Sequence, residues 1–188
     1  MTNIIKNAIS AHQGVIAQLE TLSPQIEALS QKMLQCLQAG GKIVWMGNGG
    51  SAADSQHLAA EMVVRYQTER RGLASIALTT DTSILTAAGN DYGFEYVYAR
   101  QVEALCSDKD VIIGISTSGN SANVLKAMQA GRVLGAYTVG MTGAGGGKLA
   151  TLCDLLIAVP TPVTARAQEA HILIGHMLCE LIDNAYAN

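Results

Sequence analysis

The fold is decided by residues 42–61, KIVWMGNGGSAADSQHLAAE. An apolar run at 42–46 is followed by a glycine-rich turn at 47–52 and then by a helix predicted over about 51–65. A strand that passes through such a turn into a helix is typical of an α/β protein. The glycines let backbone N–H groups approach an anion, and the helix N-terminus adds partial positive charge, so the turn predicts a phosphate-binding loop.

The same alternation of apolar runs and amphipathic helices continues to the end of the chain. Continuous apolar strands between helices indicate a parallel sheet that is covered on both faces. We expect ligands to bind at the carboxyl ends of its strands. The predicted strands are 42–46, 75–78, 110–115, 137–141 and 154–159, and the predicted helices are about 51–65, 82–88, 94–105, 121–134 and 164–186.

Two further helices are predicted before the first strand, with a break around Ser23-Pro24. A minimal doubly wound fold does not need them. We therefore expect residues 1–39 to form a helical hairpin that packs against another subunit, and residues 40–188 to form the α/β domain. A chain of 188 residues is too short for two ordinary domains.

Composition limits the possible partners and compartment. The net charge is −3 and no basic run exceeds Arg70-Arg71, so we expect no nucleic-acid partner. No apolar run approaches about 20 residues and the N-terminus lacks a signal-peptide pattern, so we expect no membrane span. Four cysteines without a C-x-x-C pair favour reduced thiols in a cytoplasmic protein: Cys36, Cys106, Cys153 and Cys179.

A second candidate phosphate loop, STSGNS, occupies 116–121 at the end of the third predicted strand. Its hydroxyl and amide groups precede a predicted helix, so they offer hydrogen-bond donors to a phosphate without a fixed positive charge. The alternative is an ordinary helix N-cap formed by Ser121, which needs only one of the hydroxyls.

Two glycine-rich stretches partly match nucleotide-binding motifs. The turn at 47–52 also matches the dinucleotide fingerprint G-x-G-x-x-(G/A), but the acidic residue expected at the end of the second strand is missing. The stretch 143–148 fails as a P-loop because Thr142 and Leu149 occupy positions that require Gly and Ser/Thr. We interpret it as a flexible turn.

Four side chains on two predicted helices could hold a divalent metal. His57 and Glu61 are spaced i, i+4 on one helix face. Gln168 and His176 are two turns apart on the last helix and within about a quarter turn of each other. If the two helices face each other, the two imidazoles favour zinc. Otherwise the first pair is a surface pair and His176 is a core histidine; we interpret His171 as structural.

Taken together, these segments resemble the SIS (sugar isomerase) domain family. The resemblance runs from about Gly40 to Asp183 and rests on four stretches: GNGGSAADSQHLAAE (47–61), TTDTSILTAAGNDYGF (79–94), ISTSGNSANVLKA (115–127) and TARAQEAHILIGH (164–176). It implies a three-layer, doubly wound parallel sheet of five strands in flavodoxin-like order. It also implies a homotetramer with active sites between subunits and one Zn²⁺ per subunit.

The resemblance assigns roles to particular residues. Glu61 and His176 would be catalytic, and Asn90 and Asp91 in the GNDYG turn would contact the sugar hydroxyls. Some members have Asp where this chain has Ala165, which puts one sugar contact in doubt. The implied substrate contacts are Asn48, Gly49, Gly50, Ser51, Glu61, Asn90, Asp91, Ser116, Thr117, Ser118, Ser121 and Gln168, and the implied metal ligands are His57, Glu61, Gln168 and His176.

The implied reaction is the aldose–ketose isomerisation of sedoheptulose 7-phosphate to D-glycero-D-manno-heptose 7-phosphate through an enediolate, towards ADP-heptose and lipopolysaccharide. A different class within the family is a non-catalytic tetramer that binds the bacterial replication initiator protein. Glu61 favours the enzyme, because we expect the regulator to lack this carboxylate.

Overall fold

Five short apolar segments form one parallel sheet, as their sequences predict. The computed structural model describes residues 2–187, and the strand order is β2-β1-β3-β4-β5. This confirms the doubly wound sheet in flavodoxin-like order. The strands are β1 (Ile43–Gly47), β2 (Ser75–Ala77), β3 (Val111–Ile115), β4 (Tyr137–Thr142) and β5 (Leu155–Ala158).

Within residues 2–187, seven α-helices surround this sheet, and their bounds follow the sequence pattern with two exceptions. The helix predicted over 82–88 continues to Asp91, so the start of the GNDYG segment is helical. The helix predicted over 94–105 is divided into a 3₁₀ turn at Phe94–Tyr96 and an α-helix. The α-helices are α1 (Thr2–Ile16), α2 (Ser23–Gln38), α3 (Gly50–Val63), α4 (Thr82–Asp91), α5 (Ala99–Leu105), α6 (Ala122–Val133) and α7 (Thr164–Tyr186).

Tertiary contacts hold the chain at the break in the helix predicted over 94–105. Val97 and Tyr98, at the break, are both buried. The hydroxyl of Tyr98 donates a hydrogen bond to the backbone carbonyl oxygen of Gly47, at the end of β1. The two buried side chains and this hydrogen bond hold the break against the end of β1.

The N-terminal helices share a hydrophobic core with one face of the sheet. Leu29 and Met33 of α2 are fully buried and belong to the same cluster as Trp45 of β1 and Ile174 of α7. Both α1 and α2 pack mainly on α7. The predicted ends at residues 1 and 188 lie outside the described residues, and the role of this segment in assembly stays a prediction.

The parallel register places the two candidate phosphate loops side by side. Gly47, the last residue of β1, is paired with Ile115, the last residue of β3. The loops that follow therefore begin next to each other at the carboxyl edge of the sheet, as the fold class predicts.

Helices α3 and α7 approach each other closely on one face of the sheet. A Cβ atom on Gly175 would lie 2.5 Å from both methyl carbons of Leu58, and one on Gly50 would lie 2.5 Å from Nε2 of Gln168. The contacts 50–168 and 58–175 advance along both helices together, so the helices run side by side in the same direction. Across residues 2–187 there is no helix with the length and apolar character needed to cross a membrane.

Candidate active site

A polar cavity of about 260 Å³ lies between the two predicted phosphate loops. Its lining is formed by the ends of β1 and β3 and the first turn of α7, and no charged side chain is among the residues that line it. Both loops lead into helices, so the positive ends of the α3 and α6 dipoles face this region. The lining residues are Asn48, Gly49, Gly50, Ser51, Ile115, Ser116, Thr117, Ser121, Thr164 and Gln168.

The first loop is held by side-chain amides rather than by a helix cap. Asn48 and Asn123 exchange two hydrogen bonds through their amides, at 2.9 and 2.8 Å. Gly49 occupies the N-cap position of α3, so Ser51, two residues later, does not cap this helix. The cap lies before Ser51 because the helix begins at Gly50, and Ser51 is instead a buried residue that lines the cavity.

The second loop contributes hydroxyls that are not used as helix caps. Ser121 occupies the N-cap position of α6 without a side-chain cap hydrogen bond. Its Oγ lies 2.9 Å from Oγ of Ser116, so one hydroxyl donates to the other. Ser116, Thr117 and Ser121 line the cavity, whereas Ser118 is exposed and its Oγ accepts a hydrogen bond from the Asn120 amide.

The glycine turn that we interpreted as flexible supports the second loop. The amide of Gly143 donates to the carbonyl oxygen of Thr117 at 2.9 Å, and the amide of Leu149 donates to that of Gly119 at 3.0 Å. Gly119 has a φ of 66°, and a Cβ there would lie 2.0 Å from the carbonyl oxygen of Gly146. Only glycine fits this position, and the loop is fixed by its neighbour.

Three of the predicted catalytic and metal-binding side chains meet between α3 and α7. Nε2 of His57 lies 3.0 Å from Nε2 of His176 and 3.4 Å from Oε1 of Glu61. The two rings are edge-to-face, with centroids 5.2 Å apart. One imidazole must donate its Nε2 proton to the other, so the two rings adopt different tautomers when both are neutral.

The fourth predicted ligand, Gln168, lines the phosphate cavity against Gly50. In the part of the chain that the structure describes, no group of three or more His, Cys, Asp or Glu side chains is arranged to hold a metal ion. The Nε2 atoms of His57 and His176 are instead within hydrogen-bonding distance of each other. Of the side chains that would bind zinc, His57, Glu61 and His176 therefore lie together, whereas Gln168 lies at the cavity.

Asn90 and Asp91 are not among the residues that line the cavity. Both are exposed at the end of α4, where Nδ2 of Asn90 donates to Oδ1 of Asp91 at 2.8 Å. Ala165 is exposed in the first turn of α7. Its neighbour Thr164 lines the cavity, and no sequence motif indicated this residue.

His171 has the structural role that the sequence predicts. Its ring is fully buried, and Nε2 lies 3.0 Å from the carbonyl oxygen of Thr142. Burial lowers the pKa of His171, because it disfavours the charged imidazolium more than the backbone hydrogen bond stabilises it. The ring is therefore a neutral donor that ties α7 to β4.

Comparison with known proteins agrees with this fold. The family model described as "SIS domain" matches residues 9–143, which cross the predicted limit at 39/40. The chain therefore belongs to the SIS domain family.

Relatives that match nearly the whole chain are phosphoheptose isomerases. The chain is 52% identical over 186 residues to phosphoheptose isomerase 1 of Campylobacter jejuni, covering 99% of this chain and 100% of the relative. It is 54% identical over 185 residues to phosphoheptose isomerase of Aliarcobacter butzleri, with 98% of each chain covered. The structure of phosphoheptose isomerase from Neisseria gonorrhoeae has a TM-score of 0.93 at 45% identity, covering 97% of this chain and 98% of that one.

Residues 64–74, which we term the strap, connect α3 to β2 and were not part of the predicted site. The strap is joined to α7 by a buried ion pair, in which Nε of Arg70 donates to Oδ1 of Asp183 at 2.6 Å. The other carboxylate oxygen accepts from the amides of Gln67 and Thr68 at 2.8 and 2.9 Å. The guanidinium also donates to the carbonyl oxygen of Glu61 at 2.9 Å.

These contacts set the charge state of Asp183. Burial alone would raise the pKa of its carboxyl group, but hydrogen bonds from Thr68, Gln67 and Arg70 outweigh burial, and the pKa is lowered. A lowered pKa in the folded state stabilises the protein above the ordinary pKa of Asp. That contribution is lost as the pH falls through the lowered value.

We expect Asp183→Asn to reduce the free energy of unfolding by about 3–5 kcal/mol at pH 7, because Arg70 is left buried without its counter-charge. The loss should shrink below about pH 4, where wild type loses the same contribution. Urea unfolding from pH 3 to 7 measures both effects. Glu69→Gln, in the same strap but with an exposed ion pair, is the control and should cost under about 1 kcal/mol. Equal stability of Asp183→Asn and wild type would contradict this assignment.

Proposed function

We propose that this chain is the aldose–ketose isomerase that converts sedoheptulose 7-phosphate to D-glycero-D-manno-heptose 7-phosphate, for ADP-heptose and lipopolysaccharide synthesis. The observation that carries the proposal is the meeting of His57, Glu61 and His176 on the two helices whose first turns border the phosphate cavity. The full-length similarity to phosphoheptose isomerases supports the choice of substrate.

The spacing along α3 is consistent with a seven-carbon substrate. His57 is seven residues after Gly50, which corresponds to about 10 Å along the helix and to the same helix face. An extended chain from C1 of a heptose to the phosphorus atom spans eight bonds, or about 10 Å at roughly 1.3 Å per bond. A phosphate held at the cavity would thus place C1 and C2 near the level of His57.

Isomerisation moves a proton between C1 and C2, so it needs a base near these carbons and an acid near their oxygens. We assign Glu61 as the base and His176 as the group that opens the sugar ring and relays protons to the oxygens. The phosphate loops supply binding energy at the far end of the substrate and set its orientation.

The spacing of the two imidazole nitrogens supports a zinc ion at this place. Two nitrogens bound at about 2.0–2.1 Å to one tetrahedral zinc lie about 3.3 Å apart, close to the 3.0 Å between the Nε2 atoms of His57 and His176. We infer that these two residues and Glu61 would hold the ion in place of the shared proton. Gln168, the fourth ligand that the resemblance implies, lies against Gly50 at the cavity, and its part in the site stays a prediction. When bound, zinc would polarise the carbonyl group as a Lewis acid.

We also propose that the enzyme is a cytoplasmic homotetramer whose N-terminal helices contact other subunits. Ile4, Ile5 and Ile9 of α1 are 74%, 64% and 53% exposed, and a second copy of the chain would cover this apolar stripe. The cysteines of the described chain are free thiols, which fits a reducing compartment.

The non-catalytic regulator that binds the replication initiator is the competing function. A binding protein needs neither a carboxylate nor an imidazole pair beside the phosphate cavity, whereas proton transfer needs both. The proximity of Glu61 to His57 therefore favours the enzyme.

Glu61→Gln should abolish isomerisation while the sugar phosphate still binds, because it removes the base and leaves the phosphate loops intact. We expect kcat to fall by about 10²–10⁴-fold. The assay follows aldose formation from sedoheptulose 7-phosphate, and calorimetry measures binding. Glu103→Gln, exposed on α5, is the matched control. Turnover close to wild type in Glu61→Gln would refute its role as base, and an inactive wild type under every metal condition would favour the regulator.

Metal analysis tests the zinc proposal independently of activity. Protein loaded with zinc and then dialysed should retain about one zinc per subunit, and His57→Ala should lose it because one of the two strongest ligands is removed. His12→Ala, on α1, is the control because its ring contacts Glu169 outside the proposed site. Equal zinc contents in wild type and His57→Ala would contradict the ligand set.

Light scattering tests the assembly. Wild type should have about four times the 19.7 kDa subunit mass. The double variant Ile5→Glu/Ile9→Glu should have a smaller mass, because charges would then face the apolar contact between subunits. A wild-type protein of single-subunit mass, or a double variant that remains tetrameric, would refute this interface.

A further inference from the structure

We propose that Tyr66 is a positioning residue for His176 and that the strap exists to hold it there. This inference rests on the proposed function, since it takes His176 as the group that relays protons. Tyr66 stacks on the imidazole of His176 with ring centroids 5.4 Å apart and an angle of 23° between the ring planes. No sequence motif singled out this residue.

The imidazole of His176 is fixed by two different neighbours. His57 approaches it edge-on at 69° and shares a hydrogen bond with it, which fixes the direction of Nε2. Rotation about the last side-chain torsion of a histidine has a broad energy profile, so a hydrogen bond alone leaves the ring plane loosely defined. The stacked ring of Tyr66 restricts that plane.

The backbone next to Tyr66 is held by hydrogen bonds to a buried carboxylate. The two amides that follow it, of Gln67 and Thr68, both donate to the carboxylate of Asp183. Asp183 lies seven residues after His176 on α7, or nearly two turns further along the same face. Helix α7 therefore bears both the imidazole of His176 and the carboxylate that holds the backbone next to Tyr66.

The ion pair links this arrangement to α3 as well. The guanidinium of Arg70 donates to the carbonyl oxygens of Glu61 and Met62 and to the carboxylate of Asp183. It thus joins the end of the helix that bears the proposed base to the helix that bears His176. The strap connects both helices at a single buried charge pair, and Tyr66 extends this connection to the imidazole.

A packing role for Tyr66 makes a different prediction. Tyr66 and Tyr137 are both half-buried and pack against the same hydrophobic core. If Tyr66 only fills space, its replacement by leucine would lower stability, as the replacement of Tyr137 would, without affecting turnover by the folded protein. If it positions His176, kcat must fall while binding through the distant phosphate loops is kept.

The test compares Tyr66→Leu, Tyr66→Phe and the control Tyr137→Leu in full-length protein at a temperature where all are folded. We expect Tyr66→Leu to lower kcat by about 10–100-fold with KM changed by less than about twofold, because a misplaced proton donor slows only the chemical step. Tyr66→Phe keeps the stacked ring and should restore most of kcat. Tyr137→Leu should reduce stability and leave kcat near wild type.

A second readout does not depend on activity. In protein with isotope-labelled histidine, the ring-proton signals of His176, assigned with a His176→Gln variant, should shift when the aromatic ring of Tyr66 is removed. They should stay in place in Tyr66→Phe and Tyr137→Leu. Unchanged signals in Tyr66→Leu, or an active enzyme with the same kcat in Tyr66→Leu and Tyr137→Leu, would overturn the positioning role. An inactive wild type would instead refute the proposed function, while the signals would still report the stacking.

Discussion

The contact between Leu58 and Gly175 is the constraint on which the candidate active site depends. A side chain at 175 would meet the Leu58 methyl groups at 2.5 Å, so α7 can lie this close to α3 only with glycine there. His57 and His176 are the immediate chain neighbours of these two residues. The 3.0 Å between their Nε2 atoms is therefore a consequence of how the two helices pack.

The same pair of helices also borders the cavity for the phosphate. At their N-terminal ends, Gly50 contacts Gln168 as closely as Gly175 contacts Leu58. The end that would hold the phosphate and the end that would move protons thus belong to one packed unit, and their separation is set by the rise of α3. Binding energy gained at the loops can then orient distant carbons, because the scaffold between the two ends is a helix and not a loop.

The architecture and most of the loop residues could be predicted from local pattern. Apolar strands alternating with helices determine a parallel sheet, and glycine and serine clusters at strand ends mark the cavity at its carboxyl edge. The direction of Ser118 and the helical start of the GNDYG segment at Asn90 and Asp91 depend on neighbouring loops and cores, which spacing does not encode. The proposed role of Tyr66 could not be predicted from the sequence either. The strap that bears Tyr66 is held by an ion pair between residues 113 positions apart, Arg70 and Asp183.

None of the described residues that line the cavity is charged, so a phosphate there would depend on loops that are held firmly. Hydroxyls, amides and helix dipoles each contribute modestly, and they favour a phosphate only when several point at one place. A lysine can follow a displaced anion with its flexible chain, but the backbone around Gly119 cannot. The reciprocal Asn48–Asn123 hydrogen bonds and the contact of Gly119 with the Gly146 carbonyl provide that firmness. Fixed geometry in these loops takes the place of a fixed positive charge.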